Sequence, residues 1–202
     1  EILKKDRSTF RHSGGGVTLS GGDPLMQPDF AGELLKACKA QGWNTAIETE
    51  GCAETETYLR LVPYIDTILM DIKHMDPEKH RLFTGVSNEL ILNNARRVSA
   101  FAPLTIRVPV IPKFNESEEE IRAIAEFAAS LGKVRYVHLL PYHSLGENKY
   151  RMMGIEYKMN RLSAKSLSNK ELEKYRPIVE QAGVSCRIGD ESLGGFSWIM
   201  NY

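Results

Sequence analysis

The sequence predicts an α/β fold with a parallel sheet, because two patterns alternate along it. Short segments rich in β-branched and aliphatic residues recur through the 202 residues, and segments with helical apolar spacing separate them. Strands that alternate with helices are joined by crossover connections and run parallel. Such a series forms either a doubly wound open sheet or a barrel, and periodicity does not decide between them. The predicted strands lie near residues 17–20, 44–49, 67–72, 105–110, 134–140 and 184–188.

The helical segments carry recognisable start and stop signals. Pro28 suits the first turn of one helix, and Gly42 is expected to end it. The clearest helix covers residues 116–131, with Asn115 as its expected cap and Glu118 at the capping-box position.

Three further helices are expected, at residues 76–84, 87–100 and 171–182. The first two begin at Asp76-Pro77 and at Ser87-Asn88. Pro177 should kink or divide the third, because proline lacks the amide hydrogen that a helix interior needs. The polar, lysine-rich stretch 158–169 is interpreted as a loop.

The composition excludes several classes of partner. Twenty-six basic and 26 acidic side chains cancel, so the chain offers no electrostatic footprint for nucleic acid or for an anionic membrane surface. No run of 18 apolar residues is present. The three cysteines, Cys38, Cys52 and Cys186, fit neither a cluster nor a zinc spacing. They indicate buried small side chains and a reducing, cytoplasmic setting.

The strongest local signal is a strand that ends in two glycines. Residues 17–19 are apolar or β-branched, and Gly21 and Gly22 follow them. Glycines at the carboxyl end of a strand let a ligand approach the backbone closely. Taken alone, the segment is more typical of an ordinary turn into a helix.

Polar residues also end the other predicted strands. In a parallel sheet these ends meet at one edge, where ligands bind. Asp71 and Lys73 are two residues apart on a strand and so share a face, although a local ion pair would have the same spacing. The motifs are Ile47-Glu48-Thr49-Glu50-Gly51, Met70-Asp71-Ile72-Lys73, Arg107-Val108-Pro109-Val110-Ile111-Pro112 and Leu139-Leu140-Pro141-Tyr142-His143 with Lys149-Tyr150.

Together with Ser20-Gly21-Gly22-Asp23-Pro24, and in this order, these motifs resemble the radical S-adenosylmethionine (SAM) activating enzymes of glycyl-radical enzymes, the family typified by pyruvate formate-lyase activating enzyme. The resemblance runs from residue 1 to about residue 160. It implies a parallel, partial (β/α)6 barrel whose first strand and cluster loop precede Glu1. Residues 1–160 would form the radical SAM core, and 161–202 a C-terminal helix and strand extension of the same domain.

The resemblance also implies an activity. The family cleaves SAM reductively and takes a hydrogen atom from a backbone glycine of a partner glycyl-radical enzyme, with flavodoxin or ferredoxin as electron donor. Its 4Fe-4S cluster needs a Cys-x3-Cys-x2-Cys loop, which this sequence lacks. We therefore expect the cluster ligands to lie upstream of Glu1. We also expect the chain, as a fragment, to be inactive alone. The lead-in Phe10-Arg11-His12-Ser13-Gly14-Gly15-Gly16 resembles longer activases, which predicts a ferredoxin-like insert with further 4Fe-4S clusters.

The family's site residues can be assigned to matching positions. Asp23 stands where the family usually has Glu, which keeps the carboxylate but shortens its reach. Glu48 and Thr49 occupy a position where some members bind a monovalent cation. The implied catalytic residues are Lys73, Arg107 and His143, and the implied cofactor-binding residues are Ser20, Gly21, Gly22, Asp23, Pro24, Glu48, Thr49, Asp71, Ile72, Lys73 and His143.

Two alternative functions use the same residues. A barrel lyase without radical chemistry could use Lys73 as a Schiff-base amine. A cluster-free binding protein could retain only the SAM pocket. The remaining histidines match no motif and are interpreted as structural; they are His12, His74, His80 and His138.

Overall fold

The computed structural model of the chain describes residues 3–142 and 165–190, together with Met152 and Gly154. Its centre is a six-stranded sheet in which each strand pairs in parallel with the next one along the chain. Each strand overlaps its predicted segment, which confirms the parallel α/β class. The strands are β1 (Gly16–Leu19), β2 (Asn44–Thr49), β3 (Thr67–Asp71), β4 (Leu104–Val110), β5 (Val134–Pro141) and β6 (Cys186–Ile188).

The strand order decides between the two architectures that the sequence left open. A doubly wound sheet reverses its strand order at one point, whereas this order runs from β1 to β6 without reversal. Within the described residues β1 and β6 do not pair. The sheet is therefore a partial barrel, as the resemblance implied.

Helices fill every connection between neighbouring strands. Two helices, α1 before β1 and α3 between β2 and β3, are missing from the sequence-based assignments because seven residues are too few to display a clear apolar period. The helices are α1 (Arg7–Ser13), α2 (Pro28–Ala40), α3 (Thr55–Leu61), α4 (Pro77–Thr84), α5 (Glu89–Ser99), α6 (Glu118–Ala129), α7 (Asn169–Leu172) and α8 (Arg176–Gln181), with 3-10 turns at 3–6, 24–26, 62–64 and 173–175.

All helices that contribute to the main core pack against one face of the sheet. Alternate strand residues such as Ile68 and Met70 on β3, or Ile106 on β4, lie in this core. Because side chains alternate across a strand, the residues between them lie on the opposite face. We call that opposite face, which carries Asp71 and Arg107, the inner face.

Two helix starts follow the predicted signals. Pro28 is the first residue of α2. The Asp76 side chain caps α4 and accepts hydrogen bonds from the amides of Glu78 (2.8 Å) and Lys79 (3.0 Å). The starting motif Ser87-Asn88 lies directly before α5, but the Asn88 side chain donates to backbone carbonyls and makes no capping bond.

The predicted cap of α6 is wrong. The helix begins at Glu118, and the hydroxyl of Ser117 accepts the hydrogen bond from the amide of Glu120 (3.1 Å). Glu118 is thus the first helical residue and not the capping-box partner. Asn115 is buried and bonds to the ends of β3 and β4 instead. A buried amide satisfies backbone groups there, whereas Ser117 lies at the helix end.

The C-terminal part packs on the same core. The prediction that Pro177 divides its helix is confirmed, because a 3-10 turn separates α7 from α8, and the proline lies in the first turn of α8. Leu172 and Tyr175 are buried in the main core. In the described residues no helix combines the length and hydropathy that a membrane span requires.

Candidate functional site

A chain of polar contacts crosses the inner face from the carboxyl ends of β1, β2 and β3 to the middle of β4. The hydroxyl of Ser20, just after β1, donates to Oε2 of Glu48 on β2 (2.5 Å). The other carboxylate oxygen of Glu48 accepts from the guanidinium of Arg107 on β4. Arg107 therefore reaches over β3 to join two strands that are not neighbours.

The same chain continues on β3. The register places Asp71 beside Arg107, and Oδ1 of the aspartate lies 3.0 Å from Nε of the arginine. Nζ of Lys73 contacts the carboxylate of Glu50 and lies 4.0 Å from Oδ2 of Asp71. Two cations and three carboxylates thus alternate across the strand ends.

Asp71 has the most perturbed environment in this chain of contacts. Burial raises the pKa of its carboxyl, and the positive charges of Arg107 and Lys73 oppose that rise. The charges of Glu50 and Glu48 add to the rise. The Asp71 carboxyl therefore holds its proton more tightly than an exposed aspartate does.

The glycine segment leaves open space beside these side chains. Gly21 has φ of 109°, which favours glycine. A Cβ atom added to Gly21 or Gly22 would meet nothing within 4 Å. The backbone after β1 is accordingly accessible to a ligand, as the sequence predicted.

Asp23 fastens this segment to the end of β2. Its carboxylate accepts hydrogen bonds from the hydroxyl of Thr49 (2.8 Å), the amide of Glu50 (2.8 Å) and the amide of Leu25 (2.9 Å). Pro24 begins the 3-10 turn that follows. The three bonds show what the shorter carboxylate does in this chain: it holds the loop in place.

Glu48 and Thr49 use opposite faces of β2. Glu48 pairs with Arg107 on the inner face, whereas the Thr49 hydroxyl donates to Asp23. Consecutive strand residues alternate in this way, so their side chains do not converge. A monovalent cation at these two residues stays a prediction.

Ile72 and His143 are two further candidate residues. Ile72 is buried in the main core, and its amide donates to the carbonyl of Arg107 (2.9 Å), so it contributes through the backbone. His143 lies outside the described residues, as does the Lys149-Tyr150 part of the same motif.

Sequence reasoning missed Glu50 and Asn115. Glu50 follows Glu48 by two residues, the same spacing that singled out Asp71 and Lys73, and this spacing could have identified it. Asn115 accepts from the amide of Ile111 (2.6 Å) and donates to the carbonyls of Lys73 (2.7 Å) and Pro109 (2.8 Å). No local pattern marks such a long-range contact.

The four remaining histidines each have a polar partner. His74 is buried 3.2 Å from Glu120, and burial lowers the pKa of its imidazole. His80 is buried and bonds to the carbonyl of Val86 (2.7 Å), and His138 is buried and bonds to the carbonyl of Gly189 (2.7 Å). His12 is exposed and bonds within α1.

The donor set fits the amino-acid and ribose parts of SAM. Backbone oxygens near Gly21 and Gly22 and the Asp23 carboxylate suit an ammonium group, the Asp71 carboxylate suits hydroxyls, and Lys73 suits a carboxylate. The open backbone at Gly21 and Gly22 would admit the ligand.

The cysteines of the chain do not fit an iron-sulfur cluster. Cys38 is buried on α2, Cys52 is half-buried after β2 and Cys186 is buried on β6. The described residues contain no group of three or more histidine, cysteine or acidic side chains placed to hold a metal. We therefore assign no cluster ligand among the described residues.

Several known proteins are similar to this chain in sequence and in fold. Residues 1–140 match the model of the radical SAM superfamily. The chain is 37% identical over 193 residues to a (2S)-3-sulfopropanediol dehydratase activating enzyme of Klebsiella oxytoca, covering 94% of this chain and 61% of that protein. It is 40% identical over 185 residues to a choline trimethylamine-lyase activating enzyme of Oleidesulfovibrio alaskensis, and the match covers 90% of this chain and 59% of that protein. The chain thus spans about three fifths of the length of these curated relatives.

Solved structures agree with the sequence match. A domain of pyruvate-formate lyase-activating enzyme from Bacteroides vulgatus has a TM-score of 0.72 and 35% identity, with 87% of this chain and 99% of that domain covered. Streptococcus suis SuiB bound to S-adenosylmethionine has a TM-score of 0.69 at 18% identity, covering 96% of this chain and 43% of that one, which shows the fold alone. The chain belongs to the radical SAM superfamily.

Proposed function

We propose that the chain is the SAM-binding core of an activating enzyme that cleaves SAM reductively and abstracts a hydrogen atom from a backbone glycine of a partner glycyl-radical enzyme. The observation that carries this proposal is the ion-paired chain from Ser20 through Glu48, Arg107 and Asp71 to Lys73, beside the open glycine segment. The relatives described above, which are activating enzymes, support it.

Each end of SAM has a proposed partner. Gly21, Gly22 and Asp23 would meet the amino group, partly through backbone atoms. Asp71 and Lys73 would contact the carboxylate and the ribose. His143 would lie near the ribose and adenine.

SAM would supply the hydrogen acceptor: one electron from the cluster would cleave it to methionine, and its 5′-deoxyadenosyl group would take up the glycine hydrogen atom to give 5′-deoxyadenosine. The protein's own contribution is orientation. Arg107 is held by Glu48 and Asp71 on either side, so its guanidinium has little freedom to move. The guanidinium is a planar hydrogen-bond donor, and when it is fixed in this way it can position a carbonyl or carboxylate of SAM or of the glycine substrate.

The family uses a 4Fe-4S cluster, and we propose that its ligands lie outside these 202 residues, in the longer protein that the relatives' lengths indicate. Flavodoxin or ferredoxin is the proposed electron donor, and the cytoplasm the proposed location.

The test uses the longer protein, purified without oxygen and reduced with dithionite. It should release 5′-deoxyadenosine from SAM and generate a glycyl-radical electron paramagnetic resonance signal on one of a panel of glycyl-radical enzymes. A preparation with a full cluster that binds SAM but yields neither product contradicts the proposal.

A cluster-free SAM-binding protein is the second candidate, because the described cysteines do not form a cluster site. It predicts SAM binding in a calorimeter and no iron in the anaerobically purified longer protein. The lyase alternative is less favoured, since Lys73 would have to leave its contact with Glu50 before attacking a carbonyl.

A further inference from the structure

We infer that Arg187, Tyr136 and Thr105 form a second binding site on the inner face, which holds an oxygen acceptor of the polypeptide substrate on one side of the reacting glycine. The acceptor is a main-chain carbonyl or a side-chain carboxylate. This inference rests on the proposed function and adds the residues that hold the substrate.

The sheet places Arg187 in the same row as the ion-paired residues. Cys186 and Ile188 on either side of it lie in the main core, so Arg187 lies on the inner face. The strand register then aligns Asp71 with Arg107, Arg107 with His138 and His138 with Arg187. One row therefore crosses β3 to β6.

Arg187 and Arg107 differ in the acidic groups that surround them. Arg107 has two carboxylates beside it, but no carboxylate in residues 3–142 and 165–190 pairs with Arg187. Its guanidinium is half-buried and lies over the ring of Tyr136, 4.7 Å from the centroid. The ring orients a planar donor fork whose hydrogens suit a carbonyl or carboxylate.

Thr105 supplies an independent observation. Its side chain is fully buried, and within the described structure its hydroxyl has no hydrogen-bond partner. It is aligned with Tyr136 across β4 and β5. Because buried polar groups are nearly always hydrogen-bonded, this hydroxyl indicates a partner that arrives with a ligand.

The spacing suits an extended peptide. Arg187 lies two strands from Arg107, and neighbouring strands are about 4.8 Å apart, so roughly 10 Å separates the two backbones. An extended chain covers that distance in about three residues. A glycine held near Arg107 would therefore place a residue about three positions away beside Arg187.

The experiment uses the full-length protein with its cluster, and glycine-centred heptapeptides whose glycine carries deuterium. Deuterium recovered in 5′-deoxyadenosine measures reaction with the peptide. One set of peptides carries aspartate at the third position from glycine and the other carries serine, which separates a carboxylate from a main-chain carbonyl. We expect Arg187→Gln to raise the KM for peptide about tenfold, with the SAM dissociation constant within twofold of wild type.

Arg187→Lys should restore part of the affinity for the aspartate peptides only, since lysine keeps the charge but not the planar fork. Thr105→Val tests the site without removing a charge and should also raise the peptide KM. Arg135→Gln is the matched control: it is an exposed arginine on β5, on the opposite face from Tyr136.

An unchanged peptide KM in both Arg187→Gln and Thr105→Val overturns the inference and leaves the proposed function standing. The inference is also overturned if Arg187→Gln raises the SAM dissociation constant as much as it raises the peptide KM, because Arg187 would then belong to the SAM site. Wild-type protein that cleaves SAM yet transfers no deuterium from any peptide or partner enzyme overturns the proposed function, and this inference with it.

Discussion

Arg107 on β4 forms an ion pair with Glu48 on β2, across the intervening strand β3. Both side chains are about one fifth exposed, 19% and 21%, so water screens the pair only in part. The contact links strands that share no backbone hydrogen bonds. It therefore ties the edges of the candidate site together.

Removing the arginine from this pair should destabilise the chain. Arg107→Met leaves the carboxylates of Glu48 and Asp71 without the cation between them, and we expect a loss of about 2–4 kcal/mol in the free energy of unfolding. The double variant Glu48→Gln, Arg107→Met should lose less than the sum of the single variants, by about 1–3 kcal/mol. Urea unfolding measures both effects, and strictly additive losses would contradict the pairing.

Asp71 should give stability a distinctive pH dependence. Burial raises the pKa of its carboxyl above the ordinary value of 3.8 in the folded chain. Folded protein then holds the proton more tightly than unfolded protein, so this group contributes most at low pH and less as the pH rises through the raised pKa.

The matched comparison is Asp71→Asn, which cannot titrate. The unfolding free energy of wild type minus that of the variant should decrease from about pH 4 to about pH 7. An increase over that range would mean that Arg107 and Lys73 outweigh burial and lower the pKa instead.

Gly22 should be needed for ligand binding and not for folding. A Cβ at this position meets nothing within 4 Å, so Gly22→Val should leave the urea midpoint unchanged. The valine would occupy the space that SAM is proposed to enter, and we expect the dissociation constant for SAM to rise at least about tenfold. Calorimetry with the full-length protein gives the answer, and unaltered SAM affinity would remove Gly22 from the site.

Lys73→Ala should weaken SAM binding in the same assay. The lysine contacts Glu50 and lies near Asp71 at the strand ends. Lys39→Ala is the control, because Lys39 also pairs with an aspartate, Asp66 at 2.7 Å, but lies outside the site. Equal SAM affinity in the two variants would argue against the assignment of Lys73.

Asn115 should matter more for stability than the true cap of α6. Asn115→Leu leaves three backbone groups without their partner, and we expect a loss of about 3 kcal/mol or more. Ser117→Ala removes a single capping bond and should cost about 1 kcal/mol. Thermal or urea unfolding of the two variants compares them, and the reverse order would show that the Asn115 bonds contribute little.

Local patterns in the sequence were sufficient to predict most of the strands and helices of this protein. The alternation of strands and helices, the Asp76 start of α4 and the division at Pro177 were all predicted, because each depends on residues within a few positions of one another. Two short helices, α1 and α3, were not assigned, since seven residues show too little periodicity.

The sequence by itself determined that Ser20, Glu48 and Asp71 would lie at the carboxyl ends of their strands, along one edge of a parallel sheet. Arg107, which the sequence also placed at a strand end, lies within β4, level with Asp71. Tertiary structure decided which of them touch. The pairing of Arg107 with Glu48, of Glu50 with Lys73 and of Asn115 with the carbonyl of Lys73 joins residues 23 to 59 positions apart. Such contacts depend on strand order and register, which local periodicity does not specify.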